Sequence, residues 1–209
     1  MSRGTGHRRE GGAVVVEAAL VLTFVSMVVF GVIEYGFAYR DVNTIERSLQ
    51  SAGRVGSGLG RNRFADYETL RSIATSVDNL AGASLQRVII YKPTGLDGDV
   101  PAACLAVAAT GTSAKGVAGT CNVYSPAQVM TASPIGFPDN GSATCGTGWD
   151  QLWCPFARDD TAPNTSGFGV YVEVDYEPFT YVIDHTMTIE RTAVYRVEPC
   201  VPGTGANCA

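Results

Sequence analysis

The sequence predicts an α+β fold in which a long N-terminal helix packs on a small antiparallel sheet. Three observations support this prediction. Residues 13–33 form an apolar run with one charge, a periodic stripe continues the helical pattern as far as Gly56, and later segments alternate between apolar and polar residues as strands do. Six cysteines in the second half further predict a loop insertion that is stapled by disulfides.

The apolar run predicts a transmembrane helix. As a helix, residues 13–33 would be about 31 Å long, which matches the hydrocarbon core of a bilayer. Arg3, Arg8 and Arg9 precede the run and Glu34 follows it, so the positive-inside rule predicts a cytoplasmic N-terminus and a C-terminal part outside. The run is longer than the core of a secretory signal peptide, and no Ala-x-Ala motif follows it, so we expect the helix to be retained.

The helical pattern extends beyond the membrane segment to about residue 55, where glycines end it. Its stripe follows the alternating spacing of three and four that is typical of one packed helix face, and comprises Tyr35, Ala38, Val42, Ile45, Leu49, Ala52 and Gly56. We expect this face to pack on the chain's own domain, although helix–helix assembly could use the same surface. The charged residues are predicted to lie on other faces: Glu34, Arg40, Asp41, Glu46 and Arg47. The glycines predicted to end the helix are Gly56, Gly58 and Gly60.

A second helix is predicted over residues 66–80, with Asp66 as its N-terminal cap. Three strands are predicted over residues 85–91, 169–177 and 186–198. The segment between the first two strands, residues 93–167, is therefore a long insertion.

The six cysteines predict disulfides rather than a metal site, because there is no C-x-x-C pair and His185 is the only histidine in that half. Six cysteines allow about 15 pairings. Short loops favour pairing between neighbours: Cys104 with Cys121, Cys145 with Cys154, and Cys200 with Cys208. Trp149, Trp153 and Phe156 flank Cys154, and we expect them to form a local core rather than an exposed adhesive patch.

Composition and motifs argue against several functions. The formal net charge is −5 and no basic region lies outside the N-terminus, which argues against nucleic-acid binding. The catalytic and nucleotide-binding signatures H-E-x-x-H, G-x-S-x-G and the P-loop are missing from the sequence. We therefore expect no enzymatic activity, cofactor, metal or small-molecule substrate.

Glu17 is the unusual residue of the apolar run. A carboxylate at the centre of a membrane helix costs about 2.5–3.5 kcal/mol, and less near its edge. Either Glu17 is simply tolerated one turn inside the interface, or it has a partner. Its position suggests a partner, because Glu17 is the fifth residue counted from Ala13, directly after Gly12.

A basic leader that ends in Gly, followed by an apolar helix with Glu at its fifth position, resembles the type IV prepilin processing signal. Residues 10–56 are similar to TadE-like proteins, the minor pilins or pseudopilins of the tight-adherence (Tad/Flp) pilus. The similarity rests on Gly12-Ala13 with Glu17, on the Ala-Leu-Val-Leu run, on Phe30-Gly31-x-Ile33-Glu34-x-Gly36 and on Ala52-Gly53-Arg54.

This resemblance implies a pilin-like fold and a structural, non-catalytic role in assembling a Tad/Flp pilus. A prepilin peptidase would cut between Gly12 and Ala13, and Glu17 would neutralise the new amine of a neighbouring subunit. Residues 1–12 would be the leader, 13–60 the long helix and 61–209 the extracytoplasmic domain. The implied partners are the membrane, the prepilin peptidase, other pilin subunits and the Tad inner-membrane platform. The alternative is an uncleaved, membrane-tethered binding module or adhesin.

Overall fold

The computed structural model describes residues 10–80, 82–94, 98–138, 145–161, 163–178 and 186–199. Four helices lie in this part of the chain: α1 (Glu10–Leu59), α2 (Ala65–Val77), α3 (Ala102–Leu105) and α4 (Pro126–Met130). Five strands accompany them: β1 (Ala83–Tyr91), β2 (Lys115–Val117), β3 (Cys121–Tyr124), β4 (Gly167–Tyr176) and β5 (Met187–Arg196). Two 3₁₀ turns span Pro134–Gly136 and Pro155–Ala157.

The strands form one antiparallel sheet in the order β2-β3-β1-β4-β5, and α1 packs on it along β4 and β5. This architecture confirms the predicted α+β, pilin-like fold. The three predicted strands are present as β1, β4 and β5. The predicted insertion, however, also contributes β2 and β3, and β3 pairs with the central strand β1.

The predicted stripe on α1 is the face that packs on the domain. Ile45, Leu49 and Ala52 are buried in the main core, whereas Tyr35 is 70% exposed and was wrongly included. Gly56 lies inside the helix rather than ending it. A Cβ at Gly56 would come within 2.4 Å of both Phe168 and Thr69, so only glycine allows this close approach.

A glycine follows the end of α1 as predicted, but only one of the three predicted glycines has this role. The helix ends at Leu59, and Gly60, with φ of +55°, adopts the left-handed conformation that follows many helices. Gly58 lies in the last turn, and an added Cβ there would make ordinary van der Waals contact with the Glu198 side chain at 3.8 Å. Of the three glycines, only Gly60 therefore has a terminating conformation.

Two acidic residues of α1 contradict the prediction that they lie away from the packed face. Glu34 and Asp41 are both fully buried against the domain. The hydroxyl of Tyr176 donates a hydrogen bond to Glu34 over 2.8 Å. Burial, this hydrogen bond and the two nearby acidic groups raise the pKa of the Tyr176 hydroxyl to about 12. A carboxylate in a helical pattern is normally predicted to face solvent. Here the hydroxyl of Tyr176 on β4 provides a buried partner for Glu34.

Asp66 also differs from its prediction. The residue that precedes α2 is Phe64, no side chain caps the helix, and Asp66 is buried inside the first turn. Its carboxylate forms an ion pair with Arg158 and accepts hydrogen bonds from Tyr124 (2.7 Å) and Asn122 (3.1 Å). The helix-capping prediction was therefore wrong, because a cation 92 residues away competes for this carboxylate.

Two disulfides lie within the insertion, and one of them reaches the sheet at β3. Cys104 is bonded to Cys121 in a second, smaller core on the sheet face away from α1, and Cys145 is bonded to Cys154. These are two of the three neighbour pairs; Cys200 and Cys208 lie outside the described residues, as does His185. Trp153 is buried in the main core and Trp149 packs on Phe137, so the tryptophans are core residues rather than an exposed patch.

Candidate assembly surface of the N-terminal helix

The first half of α1 stands free of the domain. Its large apolar side chains are exposed, with Leu20 at 69% and Phe24 at 70%, and the packed face begins only at Glu34. Exposed apolar area of this extent is unfavourable in water. Among the described residues this is the one helix that is long and apolar enough to cross a membrane. The surface therefore suits a lipid bilayer or the apolar helices of neighbouring subunits.

The predicted processing residues lie at the start of this helix. Gly12 and Ala13 are both exposed, and no atom lies within 4 Å of the position of a Cβ on Gly12. Glu17 follows Ala13 by four residues, which places it about 6 Å further along the same helix face. Within the described part of the chain Glu17 makes no ion pair or side-chain hydrogen bond, so its carboxylate is available to a group from another molecule.

The domain begins where the apolar run ends. Glu34 is held by Tyr176 at the end of β4, and on the neighbouring face Tyr35 and Tyr39 stack with ring centroids 6.4 Å apart. Exposed tyrosines next to a membrane segment are typical of the interface between lipid and water. Sequence reasoning placed Tyr35 in the core, and the signal that it missed was the i, i+4 pairing with Tyr39.

The densest polar cluster of the described residues lies inside the domain, far along the chain from this surface. Asp66, Arg158 and Tyr124 are all buried, and the guanidinium of Arg158 also lies over the ring of Trp153 at 4.6 Å. Burial and the Asp66 charge raise the pKa of Asp150 to about 7, although Arg158 opposes them. Because the cluster is enclosed, it suits a structural role that joins α2 to the insertion.

The structure does not bring the predicted site residues together into one site. Gly12, Ala13 and Glu17 share one end of α1, whereas the paired cysteines lie in the insertion. Within the described ranges, no group of three or more His, Cys, Asp or Glu residues could hold a metal ion. The candidate functional surface is therefore the helix itself.

Comparison with known proteins identifies this helix. Residues 12–54 match the family model of TadE-like protein. The chain has a TadE-like N-terminal region. The TadE-like family is a structural family of the Tad pilus, and the match likens this helix to that family. No curated protein and no solved structure matches the chain.

The TadE-like match covers the exposed apolar residues 13–33 and most of the face of α1 that packs on the domain. It begins at Gly12, where processing was predicted, and ends at Arg54, five residues before the end of α1. The sheet and its disulfide-bonded insertion lie outside the matched residues. The part of the chain that the family describes is therefore the helix that is long and apolar enough to cross a membrane.

Proposed function

We propose that this chain is a TadE-like minor pilin or pseudopilin that takes part in assembling a Tad/Flp type IV pilus and has no catalytic role. The observation that carries the proposal is the free, apolar first half of α1 inside the TadE-like match. Pilus subunits need such a surface twice, first in the membrane and then among the helices of neighbouring subunits. The large apolar side chains are exposed from one end of residues 13–33 to the other, which fits both uses.

In this proposal a prepilin peptidase cuts between Gly12 and Ala13. Residues 1–12 would be the cytoplasmic leader, the membrane segment would span residues 13–33, and residues 61–209 would form the extracytoplasmic domain with its insertion at 93–167. The basic leader supports this orientation. The disulfides support it independently, because they persist in oxidising compartments outside the cytoplasm.

Glu17 is proposed to act in assembly. Cleavage would leave a charged amine on Ala13 among apolar side chains, where an unpaired charge is costly. The carboxylate of Glu17 in one subunit would pair with the amine of the next and set their axial register. The other partners in this proposal are the remaining pilin subunits and the Tad inner-membrane platform.

The test is the N-terminal sequence and intact mass of the chain expressed with its own prepilin peptidase. We expect a mature chain that begins at Ala13. Gly12→Val should block cleavage, whereas the adjacent Gly11→Val serves as the matched control and should still be cut. An uncut wild-type chain would overturn the proposal and leave a membrane-tethered binding module or adhesin as the better account.

A second pair of variants separates processing from assembly. Glu17→Gln should be cleaved but should no longer co-assemble with the other subunits. Glu46→Gln removes an exposed carboxylate from the same helix and is expected to behave as wild type. Normal co-assembly of the Glu17 variant would refute the role given to that carboxylate.

A further inference from the structure

Three arginines form a row along the outer face of α1. Arg40, Arg47 and Arg54 are spaced by seven residues, and all three are exposed. Seven residues advance a helix by about 10.5 Å and bring it back to within about 20° of the same direction. The row therefore covers about 21 Å on one side of the helix, while the opposite side packs on the sheet.

Within the part of the chain that the structure describes, no ion pair neutralises the row. The positions three or four residues away from the arginines carry no carboxylate, so the usual ion pairs within a helix cannot form; they are Gly36, Phe37, Asn43, Thr44, Gln50, Ser51, Ser57 and Gly58. Among the described residues the ion pairs involve other arginines, namely Arg61, Arg71, Arg87 and Arg158. Three uncompensated cations thus lie in line on a protein whose net charge is −5.

The geometry argues against a lipid partner for the whole row. The row runs along the axis of a helix that leaves the membrane near Ile33. Arg47 and Arg54 then lie about 21 and 31 Å beyond Ile33, several times the Debye length of about 8 Å at physiological salt. Anionic headgroups could reach Arg40, but the other two arginines need a partner that extends alongside the helix.

We propose that this arginine row docks the acidic face of a neighbouring helical subunit, which carries carboxylates at the same seven-residue spacing and is not a second copy of this chain. The inference rests on the proposed function and names the kind of partner. A helix that packs beside residues 13–33 would continue beside this face, where Gly36 offers no side chain to obstruct it. Like charges would oppose two such rows meeting in a pair of identical helices.

The described surface of the chain offers no matching acidic row. Its exposed carboxylates are scattered over the chain, with two of them 29 residues apart on α1, and they are Glu17, Glu46, Asp78, Asp99, Asp159, Glu177, Glu190 and Glu198. No two of these eight are seven residues apart on one helix. A different subunit therefore provides better charge complementarity than another copy does.

The experiment places a photocrosslinking benzoylphenylalanine at Ser51, an exposed position between Arg47 and Arg54, in the full chain in its native host. We expect a crosslink to a carboxylate-bearing helical segment of a different membrane-anchored subunit. Changing all three row arginines to Gln should lower the crosslink yield about tenfold or more, because three ion pairs are lost. The matched control changes Arg71, Arg191 and Arg196 to Gln and should keep the wild-type yield.

A charge exchange completes the test. Arg47→Glu should reduce the crosslink, and Arg substituted for the carboxylate at the mapped position of the partner should restore it. A crosslink to a second copy, a segment without carboxylates, an unchanged yield in the row variant or no crosslink would each overturn the inference. N-terminal sequencing of the same samples distinguishes failure of the docking inference from failure of the proposed function. A chain that begins at Ala13 but lacks this crosslink refutes only the docking role of the arginine row. An uncut chain refutes the proposed function.

Discussion

Replacing Asp66 by Asn should destabilise the domain strongly, because it removes the carboxylate that pairs with a fully buried arginine. The substitution leaves the Arg158 guanidinium inside the domain without its carboxylate partner. Among the described residues, its Nε and Nη1 groups already have no hydrogen-bond partner. Asn has nearly the shape of Asp and can still accept hydrogen bonds from Tyr124 and Asn122, so the substitution isolates the charge.

The expected loss is about 3–5 kcal/mol in the free energy of unfolding, the range for removing one partner of a buried ion pair. At about 2–4 °C per kcal/mol for a domain of this size, the melting temperature should fall by about 6–20 °C. The pKa of Asp150 should fall as well, because the Asp66 charge is one of the causes that raise it.

The assay is urea unfolding of the full chain in detergent, followed by near-ultraviolet circular dichroism, which reports on the buried Trp153. The control is Glu68→Gln on the same helix. Glu68 pairs with Arg71 at the surface over 3.7 Å, and its loss should change stability by about 0.5 kcal/mol or less. A loss below about 1 kcal/mol for the Asp66 variant, similar to that of the control, would refute the description of this ion pair as a buried link.

Three further predictions concern packing, pH and covalent structure. Gly56→Ala should cost about 1–3 kcal/mol of stability because the added methyl group has no space. Gly58→Ala, two residues along the same helix, is the control and should be neutral or stabilising by up to about 1 kcal/mol. Equal effects of the two substitutions in thermal melts would contradict the close approach at Gly56. The folded-state pKa of Asp150 is about 7, above the ordinary 3.8, so the stability from its protonated form is complete below pH 3.8 and is lost as the pH rises to about 7. Asp150→Asn should remove up to about 4 kcal/mol of this pH dependence. If urea titrations of the wild type gave the same stability at pH 5 and pH 8, the carboxyl would not be desolvated. Changing Cys104 and Cys121 to Ser should lower stability by about 2–4 kcal/mol, and a double variant as stable as the oxidised wild type would show that this bond adds nothing.

The sequence was sufficient for the elements whose signals are local. The apolar run, the stripe on α1 and the alternation in β4 are patterns that repeat over many residues. One residue that departs from such a pattern does not change the prediction of the element. The strand β3 was missed because it has only four residues and lies in a glycine- and threonine-rich segment. Its position in the sheet depends on pairing with β1, about 30 residues away, which no local pattern encodes.

The errors on acidic residues have one common cause. Glu34 and Asp66 were assigned to solvent or to a helix cap because the pattern reads only their polarity. Each is buried because a distant residue supplies a partner: Tyr176 for Glu34, and Arg158 for Asp66. The processing residues Gly12 and Ala13 and the assembly residue Glu17 remain predictions, since their roles depend on other molecules.

The most direct test of a role in pilus assembly is to count pili and sheared pilin in a host that lacks this chain. We predict that pili are lost without it, that the wild-type chain restores them, and that Gly12→Val does not restore them although it accumulates in the membrane. Normal piliation in the absence of the chain, or full rescue by the uncleavable variant, would contradict the account.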